Sequence, residues 1–117
     1  MSGLTTHVLD AMHGRPAAGV AIRLYRLGGA APALLAQART NADGRLAAPI
    51  LSGEQIAAGR YRIEFDIGEY FRAQGAALAE PAFLDTVPID FGVGRPDEHY
   101  HVPLVATPWA YSTYRGS

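Results

Sequence analysis

The 117-residue chain has the length of one domain, so we expect a single domain over residues 1–117. Its 10 basic and 11 acidic residues leave a net charge of −1, which excludes the basic surface typical of nucleic-acid-binding proteins. The absence of cysteine and lysine excludes disulfides, thiolate catalysis, thiolate metal sites and Schiff-base chemistry.

Alternating apolar and polar residues predict strands in the first half of the chain. Residues 4–10 and 20–27 both alternate, and a turn rich in glycine separates them. Residues 33–40 form a further predicted strand. The segment Asn-Ala-Asp-Gly at 41–44 favours a tight turn, because Asn, Asp and Gly tolerate positive φ.

The second half continues this pattern and adds one helix. Residues 60–68 alternate most clearly, and residues 69–78 are the helical stretch. Residues 83–93 predict a strand in which Pro88 favours an edge position or a bulge. The last two predicted strands are 98–107 and 110–115. Roughly seven to eight short strands with one short helix are typical of an all-β protein, a β-sandwich.

Histidine is the side chain whose unperturbed pKa lies near neutral pH, so the histidines are the first candidates for catalysis. His13 falls in a turn beside Gly14 and is predicted to be solvated. His7 and His101 lie within strands whose opposite faces carry apolar residues: Leu4, Val8, Val102 and Leu104. Both imidazoles therefore project from an outer sheet face, where each alone is an ordinary surface or interface histidine.

The segment His-Tyr-His at 99–101 puts His99 and His101 on one strand face, a spacing that can bind zinc. No cysteine and no nearby set of carboxylates completes such a site. Arg45, directly after the turn glycine, is by itself an ordinary solvated arginine. We therefore expect no metal and no cofactor.

Two long segments carry a resemblance to a known family. LTTHVLDAMHGRPAAGVAIRLYRL at the start and HYHVPLVATPWAYSTYRGS at the end are similar to the two signature regions of the 5-hydroxyisourate hydrolase family, which is related to transthyretin. The similarity runs essentially from end to end and includes the turn TNADGR. Transthyretin shares the opening segment but lacks the histidines and the terminal Tyr-Arg-Gly-Ser.

The resemblance implies a transthyretin-like (prealbumin-like) β-sandwich that hydrolyses 5-hydroxyisourate in urate breakdown. The family's two catalytic histidines and its arginine match His7, His101 and Arg45, which also contact substrate. The terminal tetrapeptide at 114–117 matches as well. Tyr114 and Ser117 are expected to bind substrate, with Arg115 holding the tail in position.

The resemblance also implies a mechanism and an assembly. The two histidines orient and deprotonate a water molecule, with the choice of base left open, and Arg45 stabilises the oxyanion. The product is 2-oxo-4-hydroxy-4-carboxy-5-ureidoimidazoline. The family forms homotetramers, dimers of dimers, whose active sites lie in a channel between the dimers. The chain end is accordingly expected to line that channel.

Two other classes of function compete with the hydrolase. A non-catalytic, transthyretin-like carrier of small hydrophobic ligands would need apolar channel walls, whereas this chain offers two histidines, an arginine and a serine. A secreted structural sandwich would need a signal peptide. No apolar run of about 18 residues and no signal-like segment occurs, so we expect a cytoplasmic protein without a membrane partner.

Overall fold

The computed structural model describes residues 3–116, which form a five-stranded and a four-stranded sheet facing each other, one α-helix and one short 3-10 helix (Gly53–Gln55). The first sheet has the order β2-β1-β8-β9, and β5 also pairs with β1. The second sheet has the order β4-β3-β6-β7. The elements are β1 (Gly3–Asp10), β2 (Arg15–Pro16), β3 (Ala21–Arg26), β4 (Ala33–Arg39), β5 (Leu51–Ser52), β6 (Gly59–Asp66), α1 (Ile67–Ala73), β7 (Thr86–Val93), β8 (His99–Ala106) and β9 (Tyr111–Thr113).

The core lies between the two sheets and follows the predicted alternation. On β1, Leu4 and Val8 are buried, and on β6 the buried residues alternate with half-buried arginines and carboxylates. Removing such side chains from water is the main favourable term in folding. The largest fully buried side chains are Tyr61, Phe65, Phe71, Leu4, Ile22, Leu24, Ile63, Ile67 and Leu104. The predicted β-sandwich is therefore confirmed.

The helix prediction was wrong in its bounds. The helix runs over Ile67–Ala73 rather than 69–78, and β6 ends at Asp66. Ile67 continues the strand alternation in the sequence, but it is also buried together with Tyr70 and Phe71, three and four residues later. That spacing places the three side chains on one helical face, so packing of the helix decides the boundary.

Strand bounds differ from the predictions at several ends. β7 begins at Thr86 instead of residue 83, and Pro88 lies within it without ending it. The predicted edge position for Pro88 is confirmed, because β7 is the last strand of the second sheet. β2 and β5 each contain 2 residues and were missed, since so short a strand has no detectable period. Among residues 3–116, no helix is long and apolar enough to cross a membrane.

Candidate active site

Parallel pairing of β1 with β8 brings distant polar residues together. The register places Thr5 opposite His101 and Gly3 opposite His99. Side chains of paired residues in neighbouring strands lie within contact distance on the same face. The strand face that carries Thr5 and His7 therefore continues across the sheet into the face that carries the two histidines of β8.

The Asn-Ala-Asp-Gly turn holds Arg45 against the same face. The Asn41 side-chain oxygen accepts the backbone N–H of Asp43 at 2.9 Å, and Gly44 has a φ of 72°. The Gly44 carbonyl accepts the Val8 N–H at 2.8 Å, so the turn docks on β1. A side chain at position 44 would collide with the Val8 carbonyl, so glycine is required here.

Arg45 and His7 are neighbours because of this docking. They form an isolated antiparallel bridge through their backbones. The His7 Nε2–H donates to the Asp43 carbonyl at 3.0 Å, which leaves the lone pair of the neutral ring on Nδ1. Arg45 is exposed, and within residues 3–116 it has no carboxylate partner. Its guanidinium is available to a ligand.

A pocket of about 370 Å³ opens beside these residues. Its walls are formed by β1, the segment after the Asn-Ala-Asp-Gly turn, and the start of β8. The lining residues are Thr5, Thr6, Arg45, Leu46, Ala47, Ala48, Pro49, His99 and His101. Of the predicted site residues, the structure brings Arg45 and His101 together in this pocket, while His7 lies next to the wall through its pairing with Arg45.

His101 is held on two sides. Its Nδ1 shares a hydrogen bond of 2.8 Å with the Thr5 hydroxyl, and its backbone carbonyl accepts the Gly116 N–H at 2.8 Å. Burial lowers the pKa of His101, and repulsion from the charge of Arg45, and from His7 and His99 whenever they are protonated, lowers it further. Both effects favour the neutral imidazole, which can accept a proton.

The C-terminal segment is fastened to β8. The Arg115 guanidinium donates to Glu98 Oε1 and to the His99 carbonyl, both at 3.0 Å, and lies 4.1 Å from the centre of the Tyr100 ring. These contacts hold the backbone at Gly116 against β8. The predicted tail-holding role of Arg115 agrees with this geometry.

Of the two substrate contacts predicted in the C-terminal tetrapeptide, Tyr114 does not line this pocket. Tyr114 is 62% exposed and lines a separate cavity of about 210 Å³ between the β7 and β9 edges. Ser117 lies outside the described residues. Substrate binding by both residues stays a prediction.

Gly116 gives a direct test of the pocket's geometry. A Cβ at position 116 would lie 2.5 Å from Cδ2 of the His101 ring, so no side chain fits without moving the imidazole. We expect Gly116→Ala to lower kcat about 10²-fold, because a displacement of roughly 1 Å misaligns a catalytic group. Steady-state kinetics measure the loss. Gly94→Ala is the matched control, because a Cβ there would meet no atom within 4 Å and Gly94 does not line the pocket. Full activity of Gly116→Ala would contradict this arrangement.

His13 lies in a turn and is exposed, as predicted, and it also contacts a buried carboxylate. Its Nδ1 bonds to Asp10 Oδ2 at 2.7 Å, and the Tyr70 hydroxyl donates to the same oxygen at 2.7 Å. Asp10 is only 1% exposed. Burial opposes its ionisation, but the hydrogen bonds from His13 and Tyr70 outweigh burial and lower the pKa of Asp10 below 3.8. His13 therefore stabilises a buried carboxylate at the far end of β1.

Sequence reasoning missed one polar residue of the pocket, Thr5. Thr5 looks like any polar residue of an alternating strand, and only its register with His101 reveals its role. Gly116 belongs to the terminal tetrapeptide that the resemblance indicated, and its backbone N–H contacts His101. Within residues 3–116, no group of three or more histidines or carboxylates is placed to hold a metal ion.

Comparison with known proteins identifies the family. The family model described as HIUase/Transthyretin matches residues 4–116, nearly the whole chain. The chain belongs to the HIUase/Transthyretin family. Within this family, the 5-hydroxyisourate hydrolase of Caulobacter vibrioides is 54% identical over 117 residues, covering 100% of both chains.

Solved structures of the HIUase/Transthyretin family share the fold. The 5-hydroxyisourate hydrolase of Klebsiella pneumoniae superposes with a TM-score of 0.78 and 38% identity, covering 100% of each chain. Sea bream transthyretin in complex with thyroxine gives a TM-score of 0.86 and 28% identity, covering 97% of this chain and 94% of that one. The predicted transthyretin-like sandwich and the predicted family are both confirmed. The fold itself is common to an enzyme and a hormone-binding protein, so the site must distinguish them.

Proposed function

We propose that this protein is an enzyme that hydrolyses 5-hydroxyisourate, acting as one domain over residues 1–117. The observation that carries the proposal is the pocket in which His101 and Arg45 meet beside His7. Relatives about half identical over the full chain bear the name 5-hydroxyisourate hydrolase, which supports the same substrate. A carrier of hydrophobic ligands is less well supported, because imidazole and guanidinium groups line this pocket.

The reaction adds water to a ring carbonyl. The oxygen of water forms a bond to C6 of the substrate, the ring C–N bond breaks, and the freed nitrogen takes a proton. Water is a poor nucleophile at neutral pH, so a positioned base accelerates the step. His101 meets this need, because it lines the pocket and its lowered pKa favours the neutral ring.

His7 and Arg45 have different parts in this proposal. The His7 Nε2–H donates to the Asp43 carbonyl, and Nδ1 is left to orient the water or the substrate. Arg45 carries a permanent charge and a forked set of donors that suits the carbonyl oxygens of an oxidised purine. It stabilises the negative oxygen of the tetrahedral intermediate.

We infer that the protein works as a homotetramer, a dimer of dimers. The support is a group of large exposed apolar side chains at the end of the first sheet, where β9 forms an open edge: Trp109, Tyr111 and Tyr114, which are 60%, 44% and 62% exposed. Open edges and apolar patches of this kind are usually covered by another chain. Light scattering coupled to size exclusion tests the assembly, and a monomer at working concentration would contradict it.

The test of the function uses 5-hydroxyisourate made in place from urate by urate oxidase. We expect the ultraviolet absorbance of the substrate to decay faster than it does spontaneously, in proportion to the protein added. Decay at the spontaneous rate with correctly folded protein would contradict the hydrolase. Saturable thyroxine binding by the same inactive protein would favour the carrier instead.

A further inference from the structure

The hydroxyl of Thr5 bridges two imidazoles. Thr5 Oγ1 lies 2.8 Å from Nδ1 of His101 and 3.0 Å from Nε2 of His99. A hydroxyl has a single proton and can donate to only one ring, so at least one of the two imidazoles donates to it. The three side chains therefore form one continuous hydrogen-bonded chain across β1 and β8.

Two arrangements of these hydrogen bonds connect His101 to His99 through Thr5, and they differ in which ring nitrogens carry protons. In the first, His101 Nδ1–H donates to Thr5, Thr5 donates to His99, and the lone pair of His101 lies on Nε2. In the second, His99 Nε2–H donates to Thr5, Thr5 donates to His101 Nδ1, and His101 Nε2 carries the proton. A backbone carbonyl permits only one of these directions, as at His7, whereas a hydroxyl permits both.

Burial and charge favour proton transfer from His101 towards His99. His101 is half-buried, and the permanent positive charge of Arg45 lies near it. His99, on the other side of the Thr5 hydroxyl, is exposed. A positive charge costs less free energy at an exposed ring than at a half-buried one, because water solvates it. A proton gained at His101 is therefore stabilised by moving outward.

We propose that Thr5 and His99 relay the proton that His101 takes from the attacking water. As the water oxygen bonds to the substrate carbon, its proton passes to Nε2 of His101. The proton on Nδ1 of His101 moves to Thr5 Oγ1, and the original Thr5 proton moves to Nε2 of His99. His101 ends neutral, and His99 carries the positive charge until it loses a proton to solvent.

This inference rests on the proposed hydrolase, and it adds two positioning residues to that site. Thr5→Val tests it, because valine has nearly the same shape and no hydroxyl. We expect kcat to fall about tenfold to a hundredfold, since proton transfer contributes rate factors of this order, while KM changes little. Thr5→Ser restores the hydroxyl and is expected to recover most of the lost rate.

Thr86→Val is the matched control, since the Thr86 hydroxyl also bonds a side chain, Asp66, but lies on the second sheet. Thermal unfolding of each variant separates a loss of fold from a loss of rate. If the wild-type protein does not accelerate decay, the proposed function itself fails. If the wild type is active and Thr5→Val has the same kcat, the relay alone is overturned.

His99 provides a second, independent measurement. Because His99 is exposed, added imidazole can occupy the space vacated in His99→Ala and accept the proton from Thr5. We expect His99→Ala to be slower than the wild type and imidazole to restore its kcat in a saturable way. Imidazole should not restore Thr5→Val, which lacks the connection to His101. Wild-type kcat in His99→Ala, or equal rescue of both variants, would overturn the relay.

Discussion

Replacing His101 with asparagine is expected to lower kcat by about 10²–10⁴-fold, the range typical of a lost general base. Asparagine keeps a polar side chain of similar size that can bond to Thr5, but its amide cannot accept a proton at neutral pH. The loss should therefore appear in kcat, with a smaller change in KM. Steady-state decay of freshly generated 5-hydroxyisourate measures both constants.

The matched control for this variant is His13→Asn. His13 bonds to Asp10 at the far end of β1 and does not line the pocket. Its replacement should reduce the free energy of unfolding while leaving kcat near the wild-type value. A His101→Asn variant that keeps wild-type kcat would exclude His101 as the base and transfer that role to His7. If His7→Asn were equally active, the assignment of the base to either histidine would be wrong.

Replacing Arg45 with glutamine is expected to lower kcat by about 10²–10³-fold, as loss of an oxyanion-stabilising donor does in other hydrolases. Glutamine retains one hydrogen-bond donor but removes the charge. Arg45→Lys retains the charge without the forked geometry, so we expect its kcat to lie between those of the wild type and Arg45→Gln. The order of the kcat values of the wild type, Arg45→Lys and Arg45→Gln shows how much of the stabilisation comes from the charge of Arg45 and how much from its two-pronged hydrogen bonding.

Arg39→Gln is the control for the arginine series. The Arg39 side chain is 62% exposed, pairs with Glu69 and does not line the pocket. Exposed ion pairs of this kind contribute little to stability, so this variant should fold and turn over normally. Equal losses in Arg39→Gln and Arg45→Gln would point to a general electrostatic effect and would contradict a specific role for Arg45.

Local sequence patterns predicted the layers of the fold well and its boundaries less well. The alternation on β1 and β6 correctly assigned the buried faces, because period two is decided by residues close in sequence. The helix was placed two residues late at its start, since Ile67 satisfies both a strand pattern and a helical face. Only its packing with Tyr70 and Phe71 resolves that ambiguity.

The candidate site was predictable in part. The outward direction of His7 and His101 followed from alternation, and the resemblance supplied Arg45. The contact between Thr5 and His101 did not follow from any local pattern, because these residues are 96 positions apart and meet through a parallel register. No periodicity reports the pairing of two distant strands, so a residue whose role depends on such a pairing is found only in the structure.

The most direct measurement is hydrolysis of 5-hydroxyisourate in water enriched in heavy oxygen, with the wild type and His101→Asn compared side by side. With the wild type, we expect product to form faster than spontaneously and to carry one heavy oxygen in its new carboxylate. With His101→Asn, product should form close to the spontaneous rate. Product formation by the wild type at the spontaneous rate, or equal acceleration by both proteins, would contradict hydrolysis at this site.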